Sequence, residues 1–352
     1  MGQAPERQDP AYLEIHLRDL GYQRPPECQY LGTGVPRDLS ILNDDSKTRA
    51  TFVDRNTIAV YQSHCENEGM SETRQISAFF LDSETGRLTS QKTWPTTKRK
   101  WLNERWDTQA RIFTVSAGFL VHSKNSLDLY SAEGLKAKLP LAEDYSWAVT
   151  IPPLGQTIHL QQIYVDNQAD GLWLSAGNLE KIRSQHELAG ITSASNSAVV
   201  ERLAHCLQLQ KIGEPARDFV CSGPSHLGYP VFLNDSEILS VYSSGFAIFT
   251  TSGEQLWSRE GNKGHSIGSH GVSLNGNRFG ILVRGKVVFD GLKASRHQWA
   301  ILVYDRIKRS QIFQSVSGRS NEQEQVEFAI SPNGSRLAVV VDDSIRIYKI
   351  PE

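Results

Sequence analysis

The chain has 352 residues, 39% hydrophobic and 22% charged, with 37 basic against 39 acidic side chains and a formal net charge of −2. That is enough apolar material for a core but too polar a chain for a membrane protein, and the balanced charge removes the general electrostatic argument for nucleic acid. No stretch reaches the roughly 18 apolar residues of a spanning helix, and none near Met1 has the apolar centre of a signal peptide.

Taken in chain order, residues 1–10 ("MGQAPERQDP") are polar and contain proline. They read as a disordered tail ahead of a single domain spanning 11–352. A mature exported chain looks like this once its signal has been removed, so a periplasmic or extracellular protein and a cytoplasmic one both fit. Helical periodicity is confined to residues 12–20. Beyond it, glycine, asparagine and aspartate punctuate short apolar runs, which is an all-β pattern. Four stretches with an apolar residue, a polar turn and a second apolar run align without gaps: Val53-Asp54-Arg55-Asn56-Thr57-Ile58, Leu233-Asn234-Asp235-Ser236-Glu237-Ile238, Leu274-Asn275-Gly276-Asn277-Arg278-Phe279 and Pro332-Asn333-Gly334-Ser335-Arg336-Leu337. Weaker copies precede Phe119, Ile158 and Val199.

The seven markers fall at 58, 119, 158, 199, 238, 279 and 337, at intervals of 61, 39, 41, 39, 41 and 58. Four intervals are close to the roughly 40–45 residues of a four-stranded propeller blade, and the two long ones carry about 20 more. The extra residues are expected as loops at 62–75 and 95–109 in blade 1 and at 284–298 and 314–325 in blade 6. The last repeat ends with three strands, so a strand from residues 11–45 should complete it, with "QYLG" (29–32) and "DLSIL" (38–42) as candidates.

Tyr304-Asp305 and Leu81-Asp82 stand where WD repeats carry Trp-Asp, Gly264-His265 where they carry Gly-His, and residues 328–350 resemble a terminal WD blade. From about 50 to 350 the chain resembles a broad group of bacterial WD-repeat-like seven-bladed propellers, mostly without an assigned function. The resemblance implies an all-β, seven-bladed β-propeller, WD-repeat-like or YVTN-like, closed by an N-terminal strand. No cofactor signature is visible in the sequence, so no cofactor is expected.

Gly264-His265-Ser266-Ile267-Gly268 also spells G-x-S-x-G, but a nucleophile elbow needs a strand before the serine and a helix after it. Here strand-like segments flank it on both sides, so no catalytic residue is assigned. His265 and His270 are spaced H-x4-H in a loop without a nearby carboxylate; the expectation is that His270 lines or abuts the central channel. Cys28, Cys65, Cys206 and Cys221 allow three pairings in an oxidising compartment. Cys206 and Cys221, fifteen residues apart on what read as neighbouring strands, could form a disulfide, or could be buried thiols.

Blades 6, 7 and 1 are consecutive in a closed ring, and their inserted loops should crowd one sector of one face. "TTKRKWLNERW" brings Lys98, Arg99, Lys100 and Arg105 together with Trp101 and Trp106, a mixture suited to an anionic or protein surface. Lys286, Arg296 and His297 come from the second loop. The expected function is a non-enzymatic binding or scaffold propeller with a protein or other macromolecular partner of acidic character, with no membrane span and no nucleic acid. The alternative is a channel-centred, metal-dependent hydrolase or lactonase-like enzyme, recognisable by several Asp, Glu, Asn or His side chains converging at the channel mouth.

Overall fold

A computed structural model describes residues 11–21, 48–68, 71–100, 111–123, 126–141, 146–163, 168–188, 190–203, 206–221, 228–261, 265–285, 287–289, 292–294, 298–316 and 326–352. Its first strand, β1 (Leu13–His16), belongs to the last blade. Blade 1 contains β2 (Arg49–Phe52), β3 (Thr57–Glu68), β4 (Ser71–Asp82) and β5 (Leu88–Lys100). Blade 2 contains β6 (Arg111–Val115), β7 (Gly118–Ser123), β8 (Ser126–Ser131) and β9 (Gly134–Pro140). Blade 3 follows with β10 (Ser146–Thr150), β11 (Thr157–Ile163), β12 (Gln168–Ser175) and β13 (Lys181–Leu188). In blade 4 are β14 (Ile191–Thr192), β15 (Ala198–Leu203), β16 (Cys206–Lys211) and β17 (Arg217–Cys221); in blade 5, β18 (Tyr229–Phe232), β19 (Glu237–Tyr242), β20 (Gly245–Thr250) and β21 (Gln255–Glu260). Blade 6 pairs β22 (His265–Val272), β23 (Arg278–Gly285), β26 (Trp299–Asp305) and β27 (Ser310–Val316), with a separate ribbon of β24 (Val287–Phe289) and β25 (Leu292–Ala294) between β23 and β26. Blade 7 joins β28 (Val326–Ile330), β29 (Arg336–Val341) and β30 (Ser344–Lys349) to β1.

Every one of the seven marker residues is the second residue of the second strand of its blade. Six of them, all but Phe119, are buried, because this strand lies between the axis and the outer strands. The turns before them recur for a local reason. Asp54 Oδ1 accepts hydrogen bonds from the Asn56 and Thr57 amides at 2.6 and 2.8 Å, and Asn234 Oδ1 from those of Ser236 and Glu237 at 2.7 and 2.9 Å. Asn275 and Asn333 do the same for Asn277 and Ser335. A short polar side chain closing its own turn makes the inner hairpin form wherever this pattern occurs.

The core is a set of seams between neighbouring blades. The seam between blades 5 and 6 is aromatic, with Phe246, Trp257, Phe279 and Tyr304 in edge-on and stacked contacts at 4.9–6.0 Å. By contrast, blades 3 and 4 share a buried apolar cluster of only Trp173 and Val199 among the described residues, supplemented by polar ties such as Thr157 Oγ1 to Asn196 Oδ1 at 2.8 Å.

Three expectations change. The closing strand is β1, paired residue for residue with β30 from Leu13↔Ile347 to His16↔Ser344. It occupies part of the stretch with helical periodicity, because Leu13 and Ile15 alternate inward for only four residues before Leu17 and Leu20 of a short 3-10 helix mimic a helical spacing. "QYLG" and "DLSIL" lie outside the described residues, as do residues 1–10. The described part of blade 1's extra residues, 62–68, 71–75 and 95–100, is strand rather than loop: β3 and β4 pair without a break in register to Glu68↔Ser71, and β4 and β5 pair, with shifts at Arg74/Ile76 and Phe80/Leu81, to Ser71↔Lys100, while 101–109 lie outside the described residues. Hydrophobic alternation stops where the sheet leaves the core, so the extension looked like a loop. In blade 6, part of 284–298 is the β24–β25 ribbon, and β27 continues to Val316.

Candidate functional site

The first strands of the blades surround the axis, where a cavity of about 380 Å³ is lined by residues of blades 1, 2, 3, 5, 6 and 7. Its wall mixes apolar side chains, among them Ile112, Phe113, Val231, Phe232 and Phe328, with the polar Thr51, Thr114, His270 and Ser273. Thr114 Oγ1 donates to the Phe52 carbonyl, and Ser273 Oγ donates to Asn275 Oδ1 at 2.7 Å, so both hydroxyls are engaged by the scaffold. Among the described lining residues, His270 is the single titratable side chain, and burial lowers its pKa. The converging carboxylates and amides of a channel-centred hydrolase are not among the described lining residues.

A turn of blade 3 crosses the axis. The Leu154 amide donates to the Leu274 carbonyl of blade 6 at 2.6 Å, while the Ser116 amide of blade 2 donates to the Gly155 carbonyl at 2.8 Å. Blades 3 and 6 are three positions apart in the ring, so this bond spans the channel. Leu154 sits at φ 70°, which costs a non-glycine residue about 1 kcal/mol or more. A β-carbon at Gly155, whose φ is +59°, would fall 2.8 Å from Leu274 Cδ1 and 3.0 Å from the Ser116 amide nitrogen. Pro152 and Pro153 enter this turn, and nothing in their sequence spacing announces a bridge to a residue 120 positions away.

The G-x-S-x-G serine, Ser266, lies in β22, paired opposite Arg284 of β23, with strand on its C-terminal side rather than the helix an elbow requires. Cys206 and Cys221 are joined by a disulfide across β16 and β17.

Lys98, Arg99 and Lys100 form the end of β5, opposite Thr73, Glu72 and Ser71 of β4. Trp101, Arg105, Trp106, Lys286, Arg296 and His297 lie outside the described residues. What holds the base of the blade 1 extension is Trp94, which sequence reasoning passed over. It is buried at 3% exposure, donates from Nε1 to Tyr130 Oη of blade 2 at 2.9 Å, and packs edge-on against Phe80 and Tyr130. Lys92 Nζ stands 3.7 Å from the Tyr130 ring centroid. The signal available in the sequence was alternation in "QKTW", where only the last residue is apolar.

Two buried histidines occupy second strands. His159 of β11 stacks on Trp173 of β12 at 4.3 Å, and the Arg183 guanidinium of β13 stands 3.9 Å from that indole's centroid, so the register His159↔Trp173↔Arg183 becomes a continuous stack across the blade. Burial, with the Arg183 charge adding to it, pushes the His159 pKa down to about 3. His122 of β7 is pushed down to about 4 by burial and then by Arg111. Both are neutral structural groups at pH 7. Glu201 of β15 is pushed up to about 7 by burial, at a position apart from the axis.

No protein-family model matches this chain, and no curated protein matches it. Solved structures do. A chain in the crystal structure of a mitotic checkpoint complex matches at a TM-score of 0.53 and 9% identity, covering 100% of this chain and 99% of that one. The Myceliophteria thermophila Cps50 (Swd1) β-propeller domain matches at 0.52 and 9%, covering 86% and 96%. The C-terminal WD40 domain of Sif2 matches at 0.46 and 9%, covering 86% and 95%. At such identity the likeness is one of architecture, and together with the seven four-stranded sheets it makes this chain a seven-bladed β-propeller, with a solved β-propeller domain among its structural neighbours.

Proposed function

We propose that this propeller is a non-enzymatic binding scaffold that presents the projecting parts of blades 6, 7 and 1 on one face to a protein or other macromolecular partner of acidic character. The observation that carries the reading is the blade 1 arm. Strands β3, β4 and β5 have 12, 12 and 13 residues, against five to seven in the strands of blade 2. The five residues of β4 before the buried Ile76 span about 17 Å at ~3.4 Å each. A hydrogen-bonded three-stranded arm presents its contacts with less ordering cost than a loop of equal length.

Antiparallel topology supports one face: second-to-third-strand connections leave every blade on the same side, and both the β3–β4 arm and the β24–β25 ribbon are such connections. Lys98, Arg99 and Lys100 run along the arm's end, and Trp101, Arg105 and Trp106 follow them in sequence. Among the described residues no helix is long and apolar enough to cross a membrane.

The test is quantitative affinity capture with the wild-type chain, a Lys98→Glu/Arg99→Glu/Lys100→Glu variant, a Trp101→Ala/Trp106→Ala variant, and a charge-reversed control on blade 4. Loss of the same partners in both arm variants, with retention in the control, supports the reading. A partner set unchanged by the arm variants overturns it.

A further inference from the structure

The outer edge of blade 4 carries a feature the scaffold reading does not use. Strands β16 and β17 pair Cys206↔Cys221, Leu207↔Val220 and then Gln208↔Asp218, so Phe219 is an extra, bulged residue. Side chains alternate faces along a strand, and Asp218, three residues from Cys221, would point to the opposite face in a regular ladder. The bulge restores it to the face shared by Cys206, Gln208 and Cys221. Both sulfurs and a carboxylate oxygen of Asp218 consequently lie within 4.8 Å of one another. Gln208 Nε2 donates to Asp218 Oδ1 at 2.7 Å, which orients the carboxylate. Cys221 and Asp218 are exposed and Cys206 is half-buried.

We propose that, when the Cys206–Cys221 disulfide is reduced, the two thiolates and the Asp218 carboxylate form a three-ligand site for a thiophilic divalent cation of the zinc class. An external thiol supplies the electrons: two RSH become RSSR, the Cys206–Cys221 bond breaks, and two protein thiols form. The cation then displaces both thiol protons to solvent and takes water as its fourth ligand. Metal–sulfur distances of about 2.3 Å in a tetrahedron separate the sulfurs by about 3.8 Å. The strands must part slightly to allow this, and β17 is the edge strand of its sheet, paired among the described strands only with β16. The Gln208 contact is the outer hydrogen bond that ligating carboxylates commonly carry. The oxidised protein has no thiolates to offer here, so cation uptake depends on redox state. Blade 4 stands across the ring from blades 7 and 1, and this site neither needs nor supports the partner surface proposed above.

The experiment reduces the full chain with a phosphine under anaerobic conditions, titrates it with Co²⁺ and follows the thiolate-to-cobalt charge-transfer band. Differential alkylation with peptide mapping then shows which cysteines Zn²⁺ protects. The expected result is one equivalent bound to the reduced protein only, with Cys206 and Cys221 protected together. Asp218→Asn should weaken binding by about tenfold to a hundredfold, and Cys221→Ser should abolish the band. Equal alkylation of both cysteines with and without Zn²⁺ overturns the site, including the case in which reduction disorders the blade. Unchanged affinity in Asp218→Asn overturns the three-ligand set.

Discussion

Acidification from pH 7 to 5 should destabilise this propeller before most of its carboxylates titrate. His122 and His159 are 3% and 0% exposed, and their folded pKa values, about 4 and about 3, lie below the ordinary 6.5. The unfolded chain therefore binds protons that the folded chain refuses. The stability these histidines contribute is fully present above about pH 6.5 and is lost as pH falls toward their folded values. At pH 5 each pKa difference contributes roughly 1.5 × 1.36, or about 2 kcal/mol, so the pair removes about 4 kcal/mol of a typical 5–15. Between pH 6 and 5 the two histidines together contribute a slope approaching two protons, about 2.7 kcal/mol per pH unit, which Glu201, held protonated in the fold up to about 7, opposes by roughly one proton. His270, lowered for the same reason, adds in the same direction. The cause at 159 is burial first, to which the Arg183 guanidinium in the same stack adds its like charge. Urea denaturation midpoints at half-unit steps from pH 7 to 5 measure the slope, and His159→Gln should reduce it by about one proton. A stability that is flat from pH 6.5 to 5, or an unchanged slope in both His159→Gln and His122→Gln, would refute the reasoning.

Arg306→Ala should cost about 2–3 kcal/mol in chemical denaturation, because the guanidinium joins Glu237 of blade 5 at 2.5 Å to the Gly276 carbonyl and Asn277 Oδ1 of blade 6 at 3.1 Å each, and its loss leaves Glu237 partly buried without its cation, with Asn234 Nδ2 at 3.4 Å as a remaining donor. A cost below about 0.5 kcal/mol would place this tie among ordinary surface ion pairs. Leu17→Ala, which empties a fully buried position in the seam between blades 7 and 1, should cost about 2–5 kcal/mol and promote aggregation by loosening β1 from the β30 edge, as light scattering would show. Hydrogen exchange should open first along blades 3 and 4, whose described seam buries the least apolar surface, and last along blades 5 and 6; the reverse order would contradict the seam account.

The sequence by itself determined the number of blades and the place of each inner hairpin, because those depend on local chemistry. Asp54, Asn234, Asn275 and Asn333 close their own turns, and each is followed four residues later by an apolar residue that must be buried. The side-chain oxygen and the amides it satisfies are within three residues of each other, so the pattern survives in the linear order. Tertiary structure alone decided the rest. Residues 62–75 looked like a loop because their alternation lost its apolar half where the sheet left the core, yet backbone pairing continued to Glu68↔Ser71. Leu13–His16 became the closing strand because only a closed ring brings it beside β30, more than 300 residues away. Leu154 reached Leu274, and a bulge at Phe219 turned Asp218 toward Cys206 and Cys221, through hydrogen bonds and register set by partners distant in sequence. Such partners are chosen by closure of the whole ring, and no window of the sequence contains both halves of the choice.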